Sequence, residues 1–234
     1  MKVVILDSGI GKRMRPFTDN NPKCLAFLDG KTILGNQVEC FMHYGLDEFI
    51  ITTGHLENKI KNFMSSNFPD AKVSYAYNPE YATTNCIYSL FLAKNLMHDD
   101  IVWLHGDMVF KKELLGKLLK SKKNGVLVNN DIKPPEKDFK VQIKNNLVKK
   151  ISVNVKGQNA FFLAPIYKVS KEDFALWMDK IDEMVKNGIV NVYAEEAFNL
   201  ISNNIKLYPI YFKRELCMEI DDHKDLETAR KKFM

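Results

Sequence analysis

The chain has no run of apolar residues long enough to cross a bilayer, which needs about 20 in succession. Its first residues read as a strand, and no basic segment with a long apolar stretch precedes them. From these two features we expect neither an integral membrane protein nor a secretory leader. We therefore expect a cytoplasmic protein without membrane insertion.

Cysteine is scarce and scattered, at positions 24, 40, 86 and 217. No two cysteines have the Cys-x-x-Cys spacing of a zinc ribbon or a redox motif. Isolated thiols of this kind suit a reducing compartment, where they pack as small apolar groups.

A strong charge of one sign is also missing. The 34 basic and 29 acidic residues leave a net charge of +5, and no long Lys/Arg stripe appears. This balance argues against a nucleic-acid partner and fits a small anionic ligand. The 234 residues suit one domain, 1–234, in which about 131–169 form a small antiparallel lobe on the substrate side. We expect a monomer or a homodimer.

Strand and helix patterns alternate along the first part of the chain, which predicts an α/β fold. Its central sheet is expected to be mixed and mostly parallel, flanked by helices and Rossmann-like. The predicted strands there are 2–6, 47–53, 72–77, 101–105 and 126–129, and the helices are 32–44, 56–64, 87–96 and 111–119. Beyond residue 130 we expect strands at 139–143, 148–153, 161–167 and 205–212, with helices at 171–186, 193–201 and 224–232. Ligands of such sheets bind beyond the carboxyl ends of the strands.

The most informative segment follows the first strand and contains Gly9 and Gly11. Such glycines let the backbone approach a ligand closely, and successive N–H groups there make an anion-binding concavity. A third glycine is absent, since Met14 stands where a dinucleotide fingerprint needs one. The Gly-Lys-Ser/Thr ending of a P-loop is absent too. The cations Lys12, Arg13 and Lys23 favour a triphosphate site over a basic surface loop.

Two carboxylates, Asp107 and Asp221, each follow an apolar run that reads as a strand. Mg²⁺ prefers a few protein oxygens and keeps its other positions for water and phosphate. Two aspartates from separate strands would provide such a site. The alternative is that these acids cap helices, a role for which Asp222 is better placed than Asp221.

Several short motifs occur in order along nearly the whole chain: Gly9-x-Gly11-x-Arg13, Pro22-Lys23, Thr53-Gly54, Asn85-x-x-Tyr88-Ser89-Leu90, Gly106-Asp107 and Glu219-Ile220-Asp221. In these motifs the chain resembles the nucleotidyltransferases with a glycosyltransferase-A-like fold, especially the short cytidylyltransferase branch typified by bacterial phosphocholine cytidylyltransferases. The resemblance implies that CTP and a small phosphorylated metabolite, phosphocholine or a close analogue, give a CDP-metabolite and pyrophosphate. Such products are precursors of cell-surface polysaccharide or lipid.

The resemblance also implies roles for individual residues. Lys23 would bridge the α-phosphate and the attacking group, while Arg13 and the backbone from Gly9 to Lys12 hold the departing phosphates. Mg²⁺ on Asp107 and Asp221 would neutralise the α-phosphate. The remaining contacts are expected from Leu6, Ser8 and Gly54 to the base, and from Asn85, Tyr88, Tyr193 and Glu195 to the acceptor.

Two positions depart from the family pattern. Asp7 stands where a small neutral residue is usual, so we expect it to turn away from the phosphates or to pair with Arg13 or Arg15. Met218 replaces an aromatic residue just before Glu-Ile-Asp, although a choline headgroup prefers aromatic faces. Residues left to line such a cage are Tyr81, Tyr88, Trp103, Phe161 and Tyr193.

The acceptor therefore stays open at this point. Besides phosphocholine it includes 2-aminoethylphosphonate, an amino-acid phosphate such as phosphoglutamine, and a sugar 1-phosphate. A different class of function is a regulatory module that binds a nucleotide without catalysis. The complete set of Arg13, Lys23, Asp107 and Asp221 favours an enzyme, because a degenerate module would have lost at least one of them.

Overall fold

The computed structural model describes residues 1–157, 160–213 and 217–233. Within these ranges the strands are β1 (Lys2–Asp7), β2 (Glu48–Thr53), β3 (Lys72–Tyr77), β4 (Ile101–His105), β5 (Met108–Phe110), β6 (Gly125–Asn129), β7 (Lys140–Lys144), β8 (Leu147–Ser152), β9 (Ala160–Val169), β10 (Tyr208–Phe212) and β11 (Cys217–Glu219). The helices are α1 (Phe17–Asn20), α2 (Ile33–His43), α3 (Glu57–Asn67), α4 (Cys86–Ala93), α5 (Lys112–Lys120), α6 (Lys171–Lys186), α7 (Glu195–Ile201) and α8 (His223–Phe233).

The central sheet has the strand order β10-β6-β9-β4-β1-β2-β3. β1 pairs in parallel with both β2 and β4, β2 is parallel to β3, and β10 is parallel to β6. β9 runs antiparallel between β4 and β6. The predicted mixed, mostly parallel sheet is thereby confirmed.

The antiparallel region after residue 130 is continuous with this sheet. β7 and β8 form a hairpin, and β7 also pairs with β9, which is itself a strand of the central sheet. The hairpin turns at Asn145 and Asn146, whose φ angles of 53° and 57° suit asparagine. The hairpin therefore extends the sheet, whereas the sequence pattern suggested a lobe laid against it.

Apolar side chains of the central strands are buried on both faces of the sheet, as expected where helices cover a largely parallel sheet on two sides. On one face Val4, Ile50 and Trp103 pack with residues of α4, α6 and α7. On the other, Val3 and Ile5 pack with residues of α2, α3 and α5. No helix in the described ranges is long and apolar enough to cross a membrane.

Helices begin where short polar side chains satisfy free backbone N–H groups. The Thr32 hydroxyl accepts from the N–H of Gly35 at 3.0 Å, and the Ser170 hydroxyl accepts from that of Asp173 at 3.3 Å. Asp222 accepts from the N–H of Asp225 at 2.9 Å and so takes the cap role at α8, which leaves Asp221 outside the helix.

Two short strands form a second, two-stranded sheet. The strand before Asp221 was expected from the sequence, whereas β5 and its pairing with β11 were not. β5 and β11 pair antiparallel, with Met108 opposite Glu219. The N–H of Ile220 then donates to the carbonyl of Asp107 at 2.9 Å. This pairing joins two segments that lie far apart along the chain, and it places the residues around Asp107 and Asp221 together.

Candidate active site

The loop after β1 is built around Gly11. Its φ of 69° is left-handed, and a Cβ there would lie 3.0 Å from the Lys23 Cβ and 3.2 Å from the Thr18 Cγ2. The Thr18 hydroxyl donates to the Gly11 carbonyl at 3.0 Å. Only glycine fits this conformation without strain, and its close approach holds the loop against Lys23.

Four charged side chains meet beside this loop. The Lys23 Nζ lies 2.6 Å from the Asp107 Oδ2 and 3.9 Å from the Asp221 Oδ1. Arg13 donates to the same Asp221 oxygen at 2.6 Å, although its own side chain is 61% exposed. The two cations and two carboxylates predicted from separate motifs thus form one cluster.

The charges in this cluster shift one another's pKa values. Burial alone would lower the pKa of Lys23, but Asp107 and Asp221 outweigh it and raise that pKa, so the amine stays protonated. Burial opposes ionisation of Asp107, yet Lys23 keeps the pKa of Asp107 below its ordinary value. Burial and the nearby Asp107 raise the pKa of Asp221.

Further acids surround the predicted pair. A carboxylate oxygen of Glu219 lies within 4.8 Å of potential ligand atoms of His105 and Asp107. Glu219 also forms a second group of this kind with Asp138 and Asp221. The Asp107 Oδ1 is buried, and no hydrogen-bond partner for it exists in the described part of the chain. An unpartnered carboxylate oxygen among other oxygen donors fits a hard divalent cation such as Mg²⁺. Glu219 was quoted in the sequence only as part of a motif, and Asp138 was missed.

A cleft of about 200 Å³ opens beside the cluster. Eight of the predicted site residues line it: Leu6, Ser8, Gly9, Gly11, Lys23, Asn85, Asp107 and Tyr193. Residues of the carboxyl ends of β1, β2 and β4 meet here because these strands run parallel and in register, with Leu6 opposite His105 and Asp7 opposite Thr53.

A family model described as the MobA-like NTP transferase domain matches residues 3–230. The chain belongs to the MobA-like NTP transferase family. The predicted resemblance to nucleotidyltransferases is confirmed at the level of family and fold.

Curated relatives extend this assignment. A choline-phosphate cytidylyltransferase of Streptococcus pneumoniae is 27% identical over 99% of this chain and 99% of its own length. A CTP:phosphoglutamine cytidylyltransferase of Campylobacter jejuni is 28% identical over 55% of this chain. A CMP-5'-(3-aminopropyl)phosphonate synthase of Streptomyces rubellomurinus is 29% identical over 50% of this chain. The matches span only 52% and 19% of the last two relatives' own lengths.

Among solved structures, CTP:phosphocholine cytidylyltransferase from Streptococcus pneumoniae superposes with a TM-score of 0.82. The superposition covers 100% of this chain and 99% of that structure, at 19% identity. At this identity the likeness shows the fold alone, and it agrees with the predicted glycosyltransferase-A-like architecture.

Other predicted residues of this MobA-like transferase lie around the cleft without being among its lining residues. Lys12 and Arg13 are exposed. Gly54 packs behind the loop, where a Cβ would lie 2.6 Å from the carbonyl oxygen of Ser8. The Tyr88 hydroxyl donates to Glu80 at 3.1 Å. Glu195 is fully buried beneath the cleft.

Asp7, the unusual residue of the loop, lines the cleft, and the two arginines expected to pair with it have other partners. Arg13 pairs with Asp221, and Arg15 pairs with Asp19 at 3.0 Å. Asp7 instead lies against the backbone at Gly106. Burial raises the pKa of Asp7 to about 8, despite a hydrogen bond from the Cys24 thiol. A protonated carboxyl near neutral pH removes the repulsion that a second anion would exert on a phosphate.

The aromatic residues considered for a choline cage are mostly elsewhere in this family member. Tyr81 and Tyr193 line the cleft. Trp103 is fully buried and stacks on Tyr167 at 4.2 Å between ring centroids. Tyr88 stacks on Phe91 at 5.9 Å.

Sequence reasoning missed several other residues of the cleft wall. His105 was not among the predicted site residues, yet it lines the cleft and forms an ion pair with Glu195 at 3.0 Å. Asn78 was not predicted either; its amide donates to both Thr84 and Ser89 at 3.0 Å and organises the loop before α4. Its position directly after β3 was the available signal.

Proposed function

We propose that this protein is a cytidylyltransferase that joins CTP to phosphocholine or a close analogue and releases pyrophosphate. The observation that carries the proposal is the position of Lys23, which lies beside the glycine loop and contacts Asp107. The full-length similarity to a choline-phosphate cytidylyltransferase supports the choice of CTP and of the acceptor.

The reaction needs charge stabilisation more than proton transfer. A phosphate monoester has a second pKa of about 6, so its oxygen is already ionised near neutral pH and needs no strong base. That oxygen attacks the α-phosphorus of CTP in line, and the bond to the pyrophosphate oxygen breaks. Lys23 remains protonated and would hold the α-phosphate and the attacking oxygen together.

Arg13 and the backbone from Gly9 to Lys12 would receive the β- and γ-phosphates. Without nucleotide, Arg13 and Lys23 are paired with Asp221 and Asp107. A bound Mg²⁺ supplies positive charge at the α-phosphate, and Asp107 and Asp221 are the residues that would hold it. The two cations would then be free to contact phosphate oxygens.

We propose that the nucleotide base binds on one side of the cleft and the acceptor on the other. Leu6, Ser8 and Gly54 lie at the ends of β1 and β2, where we place the cytosine base. Asn85 and Tyr193 would contact the acceptor headgroup. Because Glu195 is buried, it would act on the acceptor through His105, which it contacts. Tyr88 donates to Glu80, so it would influence the acceptor only through the loop that contains Glu80.

The same chemistry on 2-aminoethylphosphonate, phosphoglutamine or a sugar 1-phosphate is the second candidate. The relatives named for phosphoglutamine and for an aminopropylphosphonate favour such acceptors. So does the scarcity of aromatic side chains on the cleft wall, where Tyr81 and Tyr193 stand among amides and hydroxyls. A regulatory module without catalysis is disfavoured, since the four charged residues form one cluster.

A substrate screen tests the proposal. Pyrophosphate release is measured with each nucleoside triphosphate and Mg²⁺ against phosphocholine, phosphoethanolamine, aminoethylphosphonate, phospho-amino acids and sugar 1-phosphates. We expect release with CTP and one of these acceptors. The control is Asp107→Asn, which should fold normally and be nearly inactive. If no pair reacts, the enzymatic proposal fails, and if D107N matches the parent rate, the metal assignment is wrong.

A further inference from the structure

Three side chains that commonly bind transition metals meet on the wall of the cleft. Cys86 begins α4, His105 ends β4 and Glu195 begins α7. One ligand atom from each lies within 4.8 Å of the other two. The proposed reaction gives the Cys86 thiol no role, although His105 and Glu195 lie on the acceptor side of the cleft in that proposal.

Glu195 has a buried carboxylate oxygen without a partner among the described residues, and leaving such an atom unpaired costs free energy. Its side chain is completely buried, and its Oε1 accepts from the Tyr167 hydroxyl at 2.8 Å and contacts the His105 Nε2 at 3.0 Å. Its Oε2 is buried as well and has no hydrogen-bond partner among the described residues. A buried carboxylate oxygen normally finds a donor or a cation, so this atom points to a missing ligand.

Neighbouring groups also orient the three side chains, as outer partners do around metal sites. The N–H of Ala194 donates to the Cys86 sulfur at 3.3 Å. The His105 ring packs edge-on against Phe139, with 5.3 Å between ring centroids, and lies parallel to Tyr193. Cys86 and His105 both line the cleft, so an ion can enter from solvent and keep a position open towards it.

We propose that Cys86, His105 and Glu195 form a binding site for Zn²⁺. Thiolate, imidazole and carboxylate are the usual zinc ligands, and three protein ligands with one open position are typical of accessible zinc sites. The sulfur distinguishes this site from the neighbouring carboxylates, whose oxygens suit Mg²⁺. Binding displaces to solvent the thiol proton of Cys86 and the proton that His105 shares with Glu195.

Cobalt substitution tests the site without any assay of activity. Untagged protein, first stripped with a chelator, is titrated with Co²⁺ while its absorption spectrum is recorded. We expect one equivalent to produce a thiolate-to-cobalt charge-transfer band with the d–d bands of a tetrahedral ion, and Zn²⁺ to remove both. Cys86→Ser should abolish the charge-transfer band and weaken Zn²⁺ binding at least about tenfold.

Matched variants separate this site from others. Cys217→Ser removes a thiol outside the cluster, and Asp107→Asn removes a carboxylate of the magnesium site; both should keep the band. Glu195→Gln should weaken Zn²⁺ binding, with far-UV circular dichroism checking that each variant is folded. The proposal is overturned if no thiolate band appears, if the band survives in C86S, or if D107N abolishes it.

Discussion

At the scale of single residues, Lys23 connects the glycine loop after β1 with the carboxylates of Asp107 and Asp221. Its Cβ lies 3.0 Å from the place that a Cβ on Gly11 would occupy, its Nζ forms a 2.6 Å ion pair with Asp107, and its side chain is only 19% exposed. A partly buried cation beside two carboxylates is held in place before any substrate binds. Such preorganised charge stabilises a transition state without further rearrangement.

We predict that Lys23→Ala lowers kcat by about 10²–10³-fold while changing the KM for CTP much less. In the proposed mechanism Lys23 would contact the α-phosphate, where charge develops, whereas the backbone and Arg13 would hold the outer phosphates. Steady-state kinetics with varied CTP measure both constants. Lys31→Ala, a surface lysine paired with Glu39, is the control. An unchanged kcat in K23A would contradict the role of Lys23.

Asp7 should make the protein less stable as the pH rises. The pKa of Asp7 increases from 3.8 to about 8 on folding. The stability that the protonated carboxyl contributes is therefore fully present below pH 3.8 and is lost as the pH rises to about 8. The Asp7→Asn variant has no titratable group at this position. Its free energy of unfolding should therefore rise relative to that of the parent as the pH increases across this range. Urea unfolding with a chelator present measures the difference.

The control for this comparison is the exposed Asp70→Asn. It should leave the difference from the parent nearly constant with pH. A constant difference for D7N as well would show that the Asp7 carboxyl is ionised in the folded protein.

At the scale of elements, the ends of β1 and β4 leave no room for a side chain at Gly106. A Cβ on Gly106 would collide with the Asp7 carboxyl and lie 2.6 Å from the Leu6 carbonyl oxygen. The N–H of Gly106 donates to that same carbonyl at 3.1 Å. The glycine before Asp107 is therefore required by the pairing of these strand ends.

We predict that Gly106→Ala destabilises the protein by about 1–3 kcal/mol, the usual cost of overpacking a buried site. Denaturant unfolding measures this loss. Gly9→Ala is the matched control, because no atom lies within 4 Å of a Cβ at that position, and its effect should stay within about 0.5 kcal/mol. Equal stability of G106A and the parent would mean that the strand ends can separate freely.

The bounds of helices and strands show which structural features a sequence pattern can predict. Helix α6 matches its predicted range of 171–186, since its periodicity and its Ser170 cap are local features. β5 and β11 were not predicted as a pair, because three residues carry too little pattern and their pairing joins residues more than 100 positions apart. The strand predicted at 205–212 begins only at Tyr208, where pairing with β6 starts.

At the scale of the molecule, aromatic packing joins the central sheet to helices α6 and α7 beside the cleft. Trp177 of α6 is fully buried, lies 5.4 Å from Trp103 between ring centroids, and donates to the Ala194 carbonyl at 2.9 Å. Ala194 directly precedes Glu195. Packing of α6 thus positions α7 and the buried carboxylate.

We predict that Trp177→Ala lowers the free energy of unfolding by about 3–5 kcal/mol, as for other large core truncations. The adjacent Leu176→Ala is the control, because that side chain is 46% exposed and its loss should cost no more than about 0.5 kcal/mol. Thermal and urea unfolding followed by circular dichroism compare the two. Similar losses in both variants would contradict the role of Trp177 in the core.

The sequence by itself determined the fold class and the family, and it pointed to the glycine loop after β1 as the proposed phosphate site. Hydrophobic periodicity reports which faces are buried, and motifs at strand ends share an edge whenever the strands are parallel. Even the oddity of Asp7 was visible, because a carboxylate beside a phosphate site is unfavourable.

Only the tertiary structure decided which groups meet. The contacts of Lys23 with Asp107 and of His105 with Glu195 join residues 84 and 90 positions apart, and no local pattern specifies such pairs. The structure also separated predicted site residues into those on the cleft wall, such as Tyr193, and those beneath it, such as Glu195. The physical reason is that burial and pKa depend on neighbours from every packed element, and the chain brings these together only when it folds.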